Sequence, residues 1–180
     1  MPTDFKLPAL RHLGELADHE PVIVIDTREQ VPLSFSRLQS VRKMLTTGDY
    51  SVRGAEALFA VERKSITDLA SCCLGQNRER FERELHRLRG FRFKRLLVVG
   101  SEEDIYRCRY HSSISPKAVL ATLSAFEVRY DLPVVFGSTP AAASRLIESW
   151  AWWFAREMVE TVNDLWRSRG KRIDTGLTVK

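Results

Sequence analysis

The sequence predicts an α/β domain with a central mixed β-sheet flanked by helices. Three observations carry that expectation. Continuous apolar runs, Val22-Ile23-Val24-Ile25 and Leu96-Leu97-Val98-Val99, have the length of strands buried on both faces. Strand-like segments come first and then alternate with segments of helical periodicity, the order expected of layered α/β architecture. The 180 residues are 44% hydrophobic and 28% charged, enough for one buried core and too short for two comfortable domains.

The elements follow in chain order. Residues 1–20 read as a polar leader with a short helical turn, ended by Pro21, and residues 21–167 as the folded domain. Val22 to Ile25 is the first strand. After a turn-rich stretch with Pro32, Val41 to Leu45 and Tyr50 to Val52 read as strands around Gly48-Asp49. Arg53 to Glu56 is a turn, and Ala57 to Arg63 is the returning strand. Ser65 has the character of an N-cap before a short helix, with Asp68 three residues on and Leu69 on its apolar face. Gln76 to Arg89 is helical, with Phe81, Leu85 and Leu88 on one side. Leu96 to Val99 is a buried strand ended by Gly100. Ser115-Pro116 opens a helix to Tyr130, proline standing at its favoured first position. Pro133 to Phe136 is a last strand, and Thr139 caps a helix running to about Arg167. Residues 168–180 are expected to be a flexible polar tail.

Composition excludes some classes of function. No segment approaches the roughly 20 apolar residues that span a bilayer, and the N-terminus has no signal-peptide pattern. The expectation is an intracellular soluble protein, of cytoplasm or nucleoid, or of the nucleus in a eukaryote. The three cysteines, Cys72, Cys73 and Cys108, have neither CxxC spacing nor a matching histidine cluster, so they read as plain thiols rather than a zinc site or disulfides. The net charge of +5 suits a polyanionic partner without specifying one.

Chemistry gathers where acids stand at strand ends. Asp26 ends the first buried run within Asp26-Thr27-Arg28-Glu29, Asp49 follows Gly48, and Glu62-Arg63-Lys64 closes the fourth strand. Period two along a strand sets Glu62 and Lys64 on one face and Arg63 on the other. A hairpin through Gly54 brings Asp49 beside that pair. Two carboxylates and an ammonium then meet at one sheet edge, a donor set suited to Mg²⁺, which takes one or two carboxylates and keeps several waters. Such an ion polarises a phosphodiester and lowers the pKa of a bound water. Lys64 would orient or deprotonate the attacking water, or steady the phosphate. Arg28 and Arg63 offer guanidinium groups matched to phosphate oxygens. Singly, each of these residues fits a surface ion pair or a turn just as well; their joint occurrence, in order and at strand ends, favours a site.

The same residues carry a resemblance. Asp26-Thr27-Arg28-Glu29, then Gly48-Asp49, twelve residues, Glu62-Arg63-Lys64, three residues and Asp68 resemble the signature of the XPF family of structure-specific endonucleases. Ala60-Val61 before that segment and Ile66 and Leu69 around Asp68 fit the pattern, and Arg80-Phe81 with Glu84 looks like the family's GR-aromatic segment. The likeness runs from Val22 to about Phe154. It implies a restriction-endonuclease-like fold and Mg²⁺- or Mn²⁺-dependent hydrolysis of DNA at flaps, forks or junctions, in repair or recombination, by dimers. It implies a metal role for Asp26, Asp49 and Glu62, a catalytic role for Lys64 with Arg28 and Arg63 as basic companions, and a supporting role for Asp68. Two departures stand out. Glu79 occupies the place of the family's glycine, leaving the role of Arg80 open. The tandem helix-hairpin-helix module that follows the family's nuclease domain is absent from these residues, so branched-DNA specificity is expected from this domain, from an accessory protein or from the dimer. A non-cleaving DNA-binding partner subunit is the alternative from another class, though such subunits lose motif acids or the lysine. A nuclease of the same fold acting on unbranched DNA is the other alternative.

Two surfaces complete the reading. Residues 76–95 carry an excess of arginines, among them Arg80, Arg83 and Arg87, expected to contact DNA phosphates; Glu79–Arg83 and Glu84–Arg87 would be the ion pairs of a merely solvated face. In the last helix Leu146, Trp150, Phe154, Met158 and Leu165 form a stripe for the sheet, and Trp152, Ala155, Val159, Val162 and Trp166 form a second apolar line. That second line predicts a homodimer through the C-terminal half, unless the helix of Ser115 to Tyr130 covers it within one chain.

Overall fold

β1 (Ile23–Ile25) is buried on every residue, as its β-branched run requires, and lies inside a six-stranded sheet. The computed structural model describes residues 20–168. The expected leader and tail therefore fall outside the described residues, apart from Glu20 and Ser168. The other strands are β2 (Ser40–Arg42), β3 (Tyr50–Val52), β4 (Phe59–Ser65), β5 (Phe93–Val99) and β6 (Val134–Gly137). The helices are α1 (Ile66–Ser71), α2 (Gly75–Leu88), α3 (Glu102–Tyr106), α4 (Pro116–Tyr130) and α5 (Pro140–Ser168). The sheet order is β2-β1-β3-β4-β5-β6. β3 runs antiparallel to both neighbours while β4, β5 and β6 are mutually parallel, so the sheet is mixed, as expected.

Alternation along β4 and β5 divides the core. Ala60, Leu96 and Val98 face α1, α2 and α4, where Phe81, Leu85 and Phe126 fill the space. Phe59, Val61 and Leu97 face the opposite way, against Ile147, Ala151 and Phe154 of α5. Period two in the strand thus decides which helix each residue meets.

Several boundaries differ from those read in the sequence. β2 stops at Arg42 because Leu45 gives its N–H to the Asp26 side chain, at 2.6 Å, instead of to a strand. β5 begins three residues earlier than Leu96, since Phe93 stacks on Phe59 with ring centroids 4.5 Å apart and extends the parallel ladder. α3 is an addition. It is nucleated by a capping box in which Ser101 and Asp104 each accept the other's backbone N–H. α4 packs with α2 and α3 on the far side of the sheet from α5, so it does not cover the last helix. Leu165, expected to lie on the sheet, is exposed. Among the described residues no helix is long and apolar enough to cross a membrane.

Candidate active site

The site is assembled by the β3–β4 hairpin. Gly48 has φ +80°, and a Cβ there would stand 3.2 Å from the Val61 carbonyl oxygen. A side chain is thus disfavoured both by backbone conformation and by the neighbouring strand. The next residue, Asp49, donates its N–H to Val61 O at 2.9 Å, and its Oδ2 accepts the Arg63 N–H at 2.7 Å. Asp49 therefore brackets Glu62 from the adjoining strand, as the sequence suggests.

Glu62 is 6% exposed and its Oε1 accepts from Lys64 Nζ at 2.5 Å. The ammonium also lies 5.0 Å from the centre of the Phe81 ring on α2. Burial pushes the Asp49 carboxyl up to about 8, reinforced by the negative Glu62 beside it. Burial raises Glu62 too, against the pull of Lys64. Burial alone would lower Lys64, but Glu62 and Asp49 outweigh it and hold the ammonium above its ordinary range.

Arg63 points to the other face of β4. Its Nε and Nη2 each donate to Glu29 at 3.1 Å, and Glu29 is 8% exposed. The second Glu29 duty is to accept the Val31 N–H at 2.9 Å, which holds the loop after β1. Nothing in the spacing of Asp26-Thr27-Arg28-Glu29 assigns a partner to Glu29. The one signal for it is the opposite charge of Arg63 in the same motif set.

Asp26 stands in a dense set of hydrogen bonds. Its Oδ1 accepts from Arg28 N and Arg28 Nε, at 2.8 and 2.7 Å, and its Oδ2 accepts from Leu45 N and Arg28 Nη2, at 2.6 and 3.2 Å. Burial would raise this carboxyl, but the bonds from Arg28 and Leu45 outweigh it and the net shift is downward. With both oxygens filled, Asp26 is an anchor for Arg28. Among the described residues no three acidic, histidine or cysteine side chains form a ready metal cluster. Asp26 adjoins the pair Asp49 and Glu62 through the backbone, its N–H donating to Asp49 O at 2.8 Å.

A cleft of about 690 Å³ opens over this hairpin end, lined by Arg28, Asp49, Arg63, Lys64, Asp68 and Arg80, with Asn77 and Cys72 further along. Asp68 is exposed and joined to Ser65, whose side chain caps α1 as expected. Arg83 and Arg87 are exposed on α2, outside the lining of that cleft. The ion pairs Glu79–Arg83 and Glu84–Arg87 do not form; the pair within this helix is Arg78–Glu82, at 3.0 Å. Among the described residues Arg80, Arg83 and Arg87 have no acidic partner, which keeps three guanidinium groups available on one helix.

Comparison with known proteins accords with this fold. The pattern of the ERCC4 domain matches residues 25–149. The fold is similar to that of a solved structure described as XPF from Aeropyrum pernix, with 22% identity over 78% of this chain and 68% of that one and a TM-score of 0.59. A second structure, described as XPF from Aeropyrum pernix in complex with DNA, is similar at 23% identity over 76% of this chain and 66% of that one, with the same TM-score of 0.59. The likeness to these two is one of fold, and the chain spans about two thirds of each. No curated protein sequence matches.

Proposed function

The chain belongs to the ERCC4-domain family, and from that premise we propose that it is a metal-dependent endonuclease acting on DNA, with branched structures as its substrates. The observation that carries this reading is that Asp49 and Lys64, with Glu62 buried against Lys64, line a cleft walled by Arg28, Arg63 and Arg80. The description of a similarly folded protein in complex with DNA supports DNA as the polymer.

The donor set fits a hard divalent cation. Two desolvated carboxylates stand side by side. Burial raises both, and the charge of Glu62 adds to the rise at Asp49, an arrangement that a small cation would relieve. Asp49 and Glu62 would hold Mg²⁺, or Mn²⁺ in its place. Bound there, the ion supplies Lewis acidity toward a phosphodiester and a lowered pKa for water. Lys64, kept protonated by its acidic neighbours, is suited to steadying phosphate charge rather than to removing a proton. Arg28 and Arg63 reach the same cleft, each fixed by an acid, Asp26 and Glu29, so that their direction is set before substrate arrives. Arg80 extends the positive wall, and Arg83 and Arg87 continue it outside the cleft as phosphate contacts. The retention of Asp49, Glu62 and Lys64 speaks against a non-cleaving partner subunit.

The same reading includes a homodimer through α5. Ala155, Val159 and Val162 are half-buried on the side of α5 away from its core stripe, and α4 lies across the sheet from them. An accessory protein would add specificity for a particular branch. Incubation of end-labelled linear, flap, fork and four-way DNAs with the protein in Mg²⁺ tests the proposal. Cutting of branched substrates that stops on chelation is expected. Equal cutting of linear duplex removes the branched specificity, and no cutting of any substrate in Mg²⁺ or Mn²⁺ removes the enzyme.

A further inference from the structure

On the α5 face of the sheet, apart from the lining of the cleft, Glu148 of α5 is 3% exposed and holds an unusual set of partners. Its Oε1 accepts three consecutive backbone N–H groups, from Ser36 at 2.9 Å, Arg37 at 2.6 Å and Leu38 at 3.2 Å. Its Oε2 is equally buried and accepts nothing. A buried carboxylate oxygen without a donor is costly, and such a group usually marks a missing partner.

Glu148 forms part of the wall of a cavity of about 370 Å³, with Glu20, Arg37, Leu38, Trp152 and Trp153. The two indoles meet edge to face with centroids 5.1 Å apart. They already attract a guanidinium: Arg156 lies 5.6 and 5.9 Å from their centroids, with its charge answered by Glu160. Arg37 is exposed at the rim. Trp153 is also the wall of a second cavity of about 270 Å³, lined by Phe93, Trp150 and Phe154 together with Arg92 and Glu157. One cavity thus combines acids with aromatic faces, and its neighbour is mainly aromatic, with a shared exposed tryptophan between them.

We propose that these adjoining cavities are a docking site for a peptide segment of a partner protein, which places an arginine or lysine side chain against Glu148 and an apolar side chain on Phe93 and Trp150. The cation gives the orphaned oxygen its missing donor in a low-dielectric setting, and the indoles add cation–π attraction. The second cavity favours a peptide over a small free cation, since a chain presents a cationic and an apolar side chain together. The site is separate from the cleft and does not depend on the nuclease reading.

The test uses the full chain, ¹⁵N-labelled, with the four tryptophan indole N–H signals followed by NMR. The probe is acetyl-arginyl-leucinamide, the control its uncharged citrulline analogue, and the competitor a short thymidine oligonucleotide. Saturable shifts of Trp152 and Trp153 by the arginine peptide are expected, weaker by about tenfold for citrulline and for Glu148→Gln, as loss of one charged hydrogen bond implies. Trp153→Ala, an exposed change that leaves the core intact, should abolish the response at Trp152. The proposal is overturned if no saturable shift occurs at millimolar peptide, or if citrulline and arginine act alike. It is also overturned if the oligonucleotide alone moves the two indoles, or if Glu148→Gln leaves binding unchanged.

Discussion

Arg63 and Glu29 are joined by two hydrogen bonds of 3.1 Å across 34 positions of the chain, and both side chains are largely shielded from water. This pair ties the loop after β1 to the end of β4, and so ties one wall of the cleft to the other.

Removing Glu29 should therefore weaken the fold as well as the chemistry. Glu29→Ala leaves a shielded guanidinium without its acid, a class of change that costs about 3–5 kcal/mol. Urea unfolding should show a drop of that order. Arg63→Lys should fail to restore activity, because an ammonium cannot reproduce the two-nitrogen grip. A Glu29→Ala protein with wild-type stability would show that the pair does not hold the cleft together.

The two acids at the floor give a prediction with a pH sign. The Asp49 carboxyl stands at about 8 in the folded chain against an ordinary value of 3.8. A carboxyl raised on folding contributes stability that is full below the unfolded value and lost as pH rises through the folded one. In chelator, stability should fall between about pH 4 and pH 8, and Asp49→Asn should remove most of that slope. Mg²⁺ bound as proposed would displace this proton, so calorimetry near neutral pH should show proton release and an affinity that strengthens toward pH 8. Binding independent of pH across this window would put the ion elsewhere.

Turnover and binding should separate at the floor. Asp49→Asn, Glu62→Gln and Lys64→Ala are each expected to abolish cleavage while leaving most DNA affinity, since what they supply is needed in the transition state. Substantial cleavage by Glu62→Gln in Mg²⁺ would refute the assignment.

In the proposed function the arginines of α2 contribute through charge alone. Changing Arg83 and Arg87 together to Ala should weaken all DNAs about equally and reduce the salt slope by about 2, since each arginine neutralises one phosphate and accounts for about one unit of slope. An unchanged slope would leave this helix face as solvated surface.

The proposed homodimer rests on the outer face of α5. Sedimentation equilibrium should give twice the 20.7 kDa chain mass at micromolar concentration, and Val159→Glu with Val162→Glu should return it to the monomer without unfolding. A wild-type monomer would end the idea.

The legible part of the fold is what local chemistry dictates. Val22 to Ile25 announces a buried strand, Ser65 a cap, and Ser115-Pro116 a helix start, and each is found within a residue or so. Less legible are features set by distant partners. β5 lengthens because Phe93 finds Phe59, and β2 shortens because Asp26 takes the Leu45 N–H. In the site, the juxtaposition of Asp49, Glu62 and Lys64 follows from strand period and a hairpin. Spacing also places a carboxylate at Asp26, but its bonds to Arg28 come from the fold and are not legible in the spacing. Glu148 sits in an apolar helical pattern with nothing to mark it, since its partners lie more than a hundred residues away.

The division of the core by β4 and β5 has a thermodynamic corollary. Lys64 and its surroundings belong to one side of the sheet, Trp153 and its surroundings to the other, and the two cavities they line have no wall residue in common. Perturbations at independent places combine by simple addition, within about 0.3–0.5 kcal/mol. A double-mutant cycle between Lys64→Ala and Trp153→Ala should accordingly close with no interaction energy. The sheet then works as an insulator: α5 is free to accumulate substitutions on its outer face while Asp49, Glu62 and Lys64 register none of them.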